Sequence, residues 1–339
     1  MAQALPASGA AERQRGIDLY RQGQFTEAAK LLREVVNTNG TDEQSWYYLG
    51  LALLQNPKEI KLASQAFETA IKLTPNFAAA HAGLSYAFLK RDKFSDALRE
   101  AQAALKIDSR IANAHHIIAV IRLNAGADEE ALKEAREAIR LNQNLAAAYL
   151  VKSEALLSIY ADDVWDASRS YKAPAKPPPP LTREEQAKRR QKRKQDLAPL
   201  TEAAQSLEVY LRMNPSDPAN ERRREQLANL RVFMDPDGGQ TNSERISFGF
   251  EVTTKARVLD KPEPEYTEEA RSARVRGTVV LQGVFGADGK LRNILIIKAL
   301  PHGLTESAIM AARSIRFTPA TIDGKPVSMF IQLEYNFNL

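Results

Sequence analysis

The sequence predicts two domains of different class, an all-α helical repeat solenoid followed by a small α+β domain built on an antiparallel sheet. Three observations carry this expectation. Residues recur at a spacing of about 34 through the first two thirds of the chain. The period of apolar residues then changes from helical to alternating beyond Asp235. The last residues, Val327 to Leu339, read V-S-M-F-I-Q-L-E-Y-N-F-N-L, and only Phe330 breaks their alternation of apolar and polar.

In the first domain Ala28, Ala63, Ala97 and Ala131 lie 35, 34 and 34 apart. A bulky column, Trp46, His81, His115 and Tyr149, keeps the same spacing, with turn signals at Gly23, Asn56-Pro57, Arg91-Asp92 and Gly126. Small residues in one register and bulky ones in another describe stacked antiparallel helix pairs. The stretches Y-Y-L-G-L-A-L-L from Tyr47, A-F-E-T-A-I-K-L-T-P from Ala66, A-H-A-G-L-S-Y-A-F and A-H-H-I-I-A-V-I-R-L resemble the tetratricopeptide repeat. That resemblance implies a concave groove lined by Arg13, Arg21, Gln44, Tyr47, Gln55, Tyr86, Lys90, Asn113, His116, Asn124 and Glu154, suited to holding a peptide or protein. The alternative is an array that only spaces its neighbours apart.

A fifth repeat is expected in two pieces, Leu145 to Tyr160 and Leu200 to Met213, within an array spanning 9–233. The insertion at about 163–198 holds four prolines, Pro177 to Pro180, which favour polyproline extension. It also holds a capping-box pair, Thr182 and Glu185, ahead of a charged helix. Glu221 to Phe233 reads as a capping helix.

Residues 234–255 read as a linker carrying a short strand, Arg245 to Val252. Then follow a helix beginning near Thr267 and ending at Gly277, a hairpin turning at Asp288-Gly289, a helix capped by Thr305, a D-G-K-P turn and the terminal strand. Leu291, Ile294 and Ile296 meet Val279, Leu281 and Phe285 on one face only if a bulge forms near Arg292-Asn293. Val280, Val284, Leu295 and Ile297 leave the other face unusually apolar, pointing to a contact with the repeats or another subunit. The motifs E-Y-T-E-E-A, G-T-V-V-L, A-D-G-K, I-R-F-T-P-A and D-G-K-P-V, with the terminal strand, resemble the TonB C-terminal domain over Ala256 to Leu339. The resemblance implies a periplasmic domain that pairs with a short strand of an outer-membrane transporter and passes on work drawn from the proton gradient.

Topology points to the same pairing. A hairpin followed by one helical crossover closes most simply with its first strand in the middle, which leaves the terminal strand on an edge. Main-chain groups then hold a partner strand, and Ser328, Phe330, Gln332, Glu334 and Asn336 read its side chains from the exposed face. The upstream segment Arg245 to Val252 either caps that edge or extends the sheet elsewhere.

Composition excludes several function classes. With no cysteine, disulfides, thiolate catalysis and cysteine metal sites are absent. The four histidines fit packing better than ligation, and no phosphate loop or nucleophile elbow occurs, so neither cofactor, metal nor catalytic residue is expected. The basic run Lys188, Arg189, Arg190, Lys192, Arg193 and Lys194 reads first as a solvated helix face, second as a contact to an anionic membrane surface and last as a nucleic-acid contact, since no aromatics interleave with it. Met1 to Ala11 shows no basic start followed by an apolar stretch. The expected function is therefore a non-enzymatic interaction protein of the bacterial periplasm or cell envelope, with a cytoplasmic adaptor bearing a self-capped TonB-like domain as the alternative.

Overall fold

The structure, a computed structural model, describes residues 7–170, 182–218, 220–235 and 245–338. The chain packs as two compact units, Met1–Val151 and Lys152–Leu339. The expected polyproline run and most of the D-P-D-G-G boundary lie outside the described residues.

Helices α1 (Ala7–Arg21), α2 (Phe25–Thr38), α3 (Glu43–Leu53), α4 (Ile60–Leu73), α5 (Ala78–Leu89), α6 (Phe94–Ile107), α7 (Ala112–Asn124) and α8 (Asp128–Leu141) form the first unit. They are joined by the start of α9 (Ala146–Ser170). The helices pair consecutively, and the first helices of successive pairs touch, α1 with α3, α3 with α5 and α5 with α7. The alanine column explains the close approach, since Ala28, Ala63, Ala97 and Ala131 are fully buried where larger side chains would hold the helices apart. Three members of the bulky column fasten their repeats to the turn before. Trp46 Nε1 donates to the Gly40 carbonyl at 2.9 Å, and the His81 and His115 Nε2 groups donate to Pro75 and Ser109 carbonyls at 3.1 and 3.0 Å. Each histidine also sets Nδ1 against a carboxylate of its own repeat, Glu100 at 2.8 Å and Glu134 at 2.6 Å. Left-handed corners at Gly23 (φ 78°), Asp92 (φ 55°) and Gly126 (φ 72°) reverse the chain within three of the pairs.

The second unit takes in the rest of α9, α10 (Arg183–Gln195), α11 (Ala198–Met213) and α12 (Asn220–Met234). Ser153 on α9 donates to the Ala203 carbonyl on α11 at 2.9 Å, repeating the Ser85 to Ala97 bond of 2.7 Å made between α5 and α6. Helix α9 runs past the expected end at Tyr160, and the capping box forms, with Thr182 N–H donating to Glu185 at 2.8 Å and Glu185 N–H to Thr182 Oγ1 at 3.3 Å.

The C-terminal elements are β1 (Arg257–Asp260), α13 (Glu268–Ser272), β2 (Gly277–Phe285), β3 (Leu291–Lys298), α14 (Leu304–Arg313), β4 (Arg316–Thr318), β5 (Ala320–Ile322), β6 (Lys325–Val327) and β7 (Met329–Phe337). The main sheet has the order β3-β2-β7, all antiparallel, so β2 is central and β7 lies on an edge. The β2–β3 register gains a residue between Arg292 and Leu295, with Asn293 at φ 50°, which is the expected bulge; a second shift lies opposite Val280/Leu281. Val279, Leu281, Phe285, Leu333, Tyr335 and Phe337 form one buried face under α14 with Leu304, Ala308 and Ala312, and Phe285 stacks on Phe317 at 3.7 Å.

Four expectations need correction. Arg245 to Val252 is not a strand: it makes a single parallel bridge, Ser247 to Met329, and turns at 249–251 because the Glu251 carboxylate accepts the Phe248 N–H at 2.7 Å. Helix α13 stops at Ser272, since Arg274 adopts φ 54°. Gly303, not Thr305, caps α14; the Thr305 hydroxyl is buried and bonded to Leu300 at 2.8 Å instead. Val327 pairs in the β5–β6 hairpin, so the terminal strand proper begins at Met329.

Candidate functional site

A sheet edge is a liability unless it is covered or paired, and the two edges of this sheet are treated differently. On β3, Ile296 gives its carbonyl to Gln226 Nε2 at 2.7 Å and its N–H to Gln226 Oε1 at 3.1 Å, while the Ile294 carbonyl accepts from Asn229 at 2.7 Å. Both amides come from α12, whose side chains stand where a neighbouring strand's backbone would. The ion pairs Arg222–Glu306 and Arg313–Glu225 flank the same helix.

On β7 the main-chain groups alternate. Odd residues face β2 and even ones face outward, as the Phe330 N–H bond to Ser247 O at 3.2 Å and the Ser247 N–H bond to Ser328 O at 2.8 Å show. The Glu334 carbonyl accepts from Lys261 Nζ at 2.7 Å. Among the described residues no strand pairs with β7 outside these contacts, so the outward N–H groups of Gln332, Glu334 and Asn336 face no main-chain partner.

The side chains predicted to read a partner are less available than the backbone. Ser328 is buried, with Oγ accepting from Ala287 N–H at 3.0 Å. Phe330 is half-buried between Phe233 at 4.9 Å and Phe248 at 5.2 Å. Gln332 bonds Glu334 at 2.9 Å, and Asn336 accepts from Thr278 at 2.7 Å. The prediction of an exposed reading face therefore fails at Ser328 and Phe330, because α12 and the 246–248 segment lie over that side of the sheet. The same cover answers the apolar face of the hairpin: Val280, Val284, Leu295 and Ile297 are all buried. On the opposite face Tyr335 is buried with its hydroxyl unbonded; desolvation, with Glu263 adding to it, pushes the phenol up to about 12. The Lys261 ammonium sits 4.5 Å from the Tyr335 ring.

The predicted groove residues divide between structure and surface. Arg13 is tied to Asp42 at 2.9 Å, and Ser45 donates to the same carboxylate. Tyr47 packs among Tyr48, Phe67 and Phe77, and burial pushes its phenol up to about 12. Arg21, Gln44, Gln55, Asn113 and Asn124 are exposed. Lys90 lies 5.3 Å over the Tyr86 ring, and His116 is buried with Nδ1 unbonded, its pKa lowered to about 4 by desolvation and by Lys90. Within the second unit Glu154 keeps an exposed surface, yet desolvation pushes its carboxyl up to about 7 against the pull of Arg223 and Arg222. Lys188, Arg189 and Lys192 are exposed on α10, and the side chains of Arg190, Arg193 and Lys194 lie outside the described residues. Sequence reasoning missed Gln226, Asn229 and Phe233, because a polar capping helix gives no sign that its amides meet a sheet edge. Among the described residues no three His, Cys, Asp or Glu converge as a metal site, and no helix is long and apolar enough to cross a membrane.

Two family models match the chain. Residues 13–76, 59–110 and 84–146 match the tetratricopeptide repeat model, and residues 262–339 match the model described as Gram-negative bacterial TonB protein C-terminal. Protein TonB of Vibrio cholerae serotype O1 is 28% identical over 96 residues, which is 26% of this chain and 39% of that protein. Among solved structures, the thermophilic TPR protein TTC0263 of Thermus thermophilus has a TM-score of 0.45 at 16% identity, over 66% of this chain and 99% of its own. MamA of Desulfovibrio magneticus RS-1 scores 0.41 at 20% identity, over 49% and 92%. YrrB, described as a TPR protein with an unusual peptide-binding site, scores 0.38 at 14%, over 63% and 90%. Both matched families are non-catalytic interaction modules. The chain thus carries tetratricopeptide repeats followed by a TonB C-terminal domain.

Proposed function

We propose that the protein is an adaptor of the bacterial cell envelope, whose β7 edge takes up a strand from a partner while the repeat surface recruits a second protein or peptide. The observation that carries this reading is the asymmetry of the sheet: α12 covers β3, whereas β7 keeps outward N–H groups at Gln332, Glu334 and Asn336. Strand addition uses such groups for affinity. An outer-membrane TonB-dependent transporter is the partner class that the TonB C-terminal match favours. The exposed Lys188, Arg189 and Lys192 favour a secondary contact with anionic lipid. A cytoplasmic adaptor with a self-capped domain is the second reading, and the Ser247 bridge to β7 favours it.

The test is binding of a transporter strand peptide to the full chain and to Gln332→Pro. Proline on an edge strand removes the outward N–H and leaves the β2–β7 ladder intact, and Gln332→Ala, which keeps that N–H, controls for the loss of the side-chain amide. Strand pairing predicts a loss of about tenfold or more in affinity. Unchanged binding by Gln332→Pro places the peptide elsewhere and rejects this site.

A further inference from the structure

We propose that Ile246–Phe248 is an internal stand-in for the partner strand, so that it defines the direction and side-chain pattern of what the β7 edge binds: an extended peptide parallel to β7 with the order apolar, small polar, aromatic. The inference rests on the strand-pairing reading and specifies it. Ile246, Ser247 and Phe248 are 3%, 3% and 8% exposed, which is core burial for a segment that belongs to no strand. Ser247 exchanges both of its main-chain groups with β7, donating to Ser328 O at 2.8 Å and accepting from Phe330 N–H at 3.2 Å, in parallel orientation. Phe248 enters an aromatic site walled by Phe330, which itself rests on Phe233 of α12. Phe250 stacks on Phe248 at 5.5 Å, and the Arg189 guanidinium of α10 lies 6.0 Å from Phe250.

The stand-in is also short. Glu251 accepts the Phe248 N–H at 2.7 Å and pairs with Arg245 at 2.7 Å, which curls the segment away before it reaches Gln332. Thr253 and Thr254 then donate to Thr321 at 2.8 and 3.1 Å, holding the chain off the rest of the edge. A partner strand that fills the same aromatic site and continues straight gains the outward groups of Gln332, Glu334 and Asn336, which the internal segment leaves unused. That difference in main-chain bonds gives an outside strand the means to displace the inside one.

The experiment titrates a labelled peptide of the chain's own sequence, R-I-S-F-G-F-E-V, into the full-length protein and into two variants that loosen the stand-in. Phe248→Ala empties the aromatic site, and Ser247→Pro removes the N–H given to Ser328. Both variants are expected to bind the peptide at least tenfold more tightly than the unmodified chain, and to prefer it at least tenfold over the same peptide with alanine for its first phenylalanine. Equal affinity in all three chains, with a transporter strand still bound, overturns the stand-in while sparing edge pairing. Failure of every chain to bind either peptide overturns both.

Discussion

His116 shows how a single side chain couples the repeat surface to pH. Burial and the nearby Lys90 lower its pKa from 6.5 to about 4, and its Nδ1 has no hydrogen-bond partner. The unfolded chain therefore binds a proton between pH 6.5 and about 4 that the folded chain refuses, so stability present above pH 6.5 is lost as pH falls through this window. A gap of that size corresponds to roughly 3 kcal/mol. Replacing His116 with leucine is expected to remove that part of the acid sensitivity, and to leave stability at pH 7 equal or higher, since an unbonded buried nitrogen goes with it. Denaturant melts from pH 7.5 to about 4 check this; parallel pH profiles for the two proteins contradict it. Glu154 has the opposite sign, since its raised pKa disfavours the folded chain as pH rises, but its exposed surface leaves the effect screened by water and small. Neither behaviour was legible in the sequence. The repeat pattern located both residues on first helices, but whether a groove position meets water or protein depends on neighbours a repeat away.

At the scale of elements, the recurring features were the legible ones. The alanine column and the Thr182/Glu185 box could be read because each depends on a local pattern or a fixed spacing. The bulge at Asn293 was readable from the alternation of β3, whereas the second shift near Ile297 was not, since both faces of the hairpin are apolar. Arg245 to Val252 alternates as a strand does, yet one carboxylate, Glu251, bends it into a turn. Phe67 joins two repeats in a way only packing reveals. A Cβ added at Gly50 or Gly83 would stand 2.7 or 2.6 Å from the Phe67 ring, which is fully buried between the two glycines. Gly83→Ala is expected to cost about 1–3 kcal/mol through overpacking, and clearly less in a Phe67→Leu background that makes room. A double-mutant cycle by chemical denaturation measures this coupling, and strict additivity would contradict the packing account.

At the scale of the whole molecule, family matches and compact units divide the chain differently. The matches cover 13–146 and 262–339, while α11 and α12 share a compact unit with the C-terminal sheet. Helix α12 is the last helix before the sheet and also the cover of its β3 edge, which leaves β7 as the edge that the proposed pairing uses. The topology that leaves β7 on an edge was legible from the order of elements alone. Its partial occupation by Ser247 was not, because a contact of one residue carries no periodic signal. The most direct test of the account is amide hydrogen exchange along β7 in the full chain, with and without a saturating transporter strand peptide. Edge pairing predicts that outward amides at Gln332, Glu334 and Asn336 slow by about tenfold or more, on the scale of one added hydrogen bond, while Ile331, Leu333 and Tyr335, already bonded to β2, change little. Unaltered exchange at Gln332, Glu334 and Asn336 under saturating peptide would contradict it.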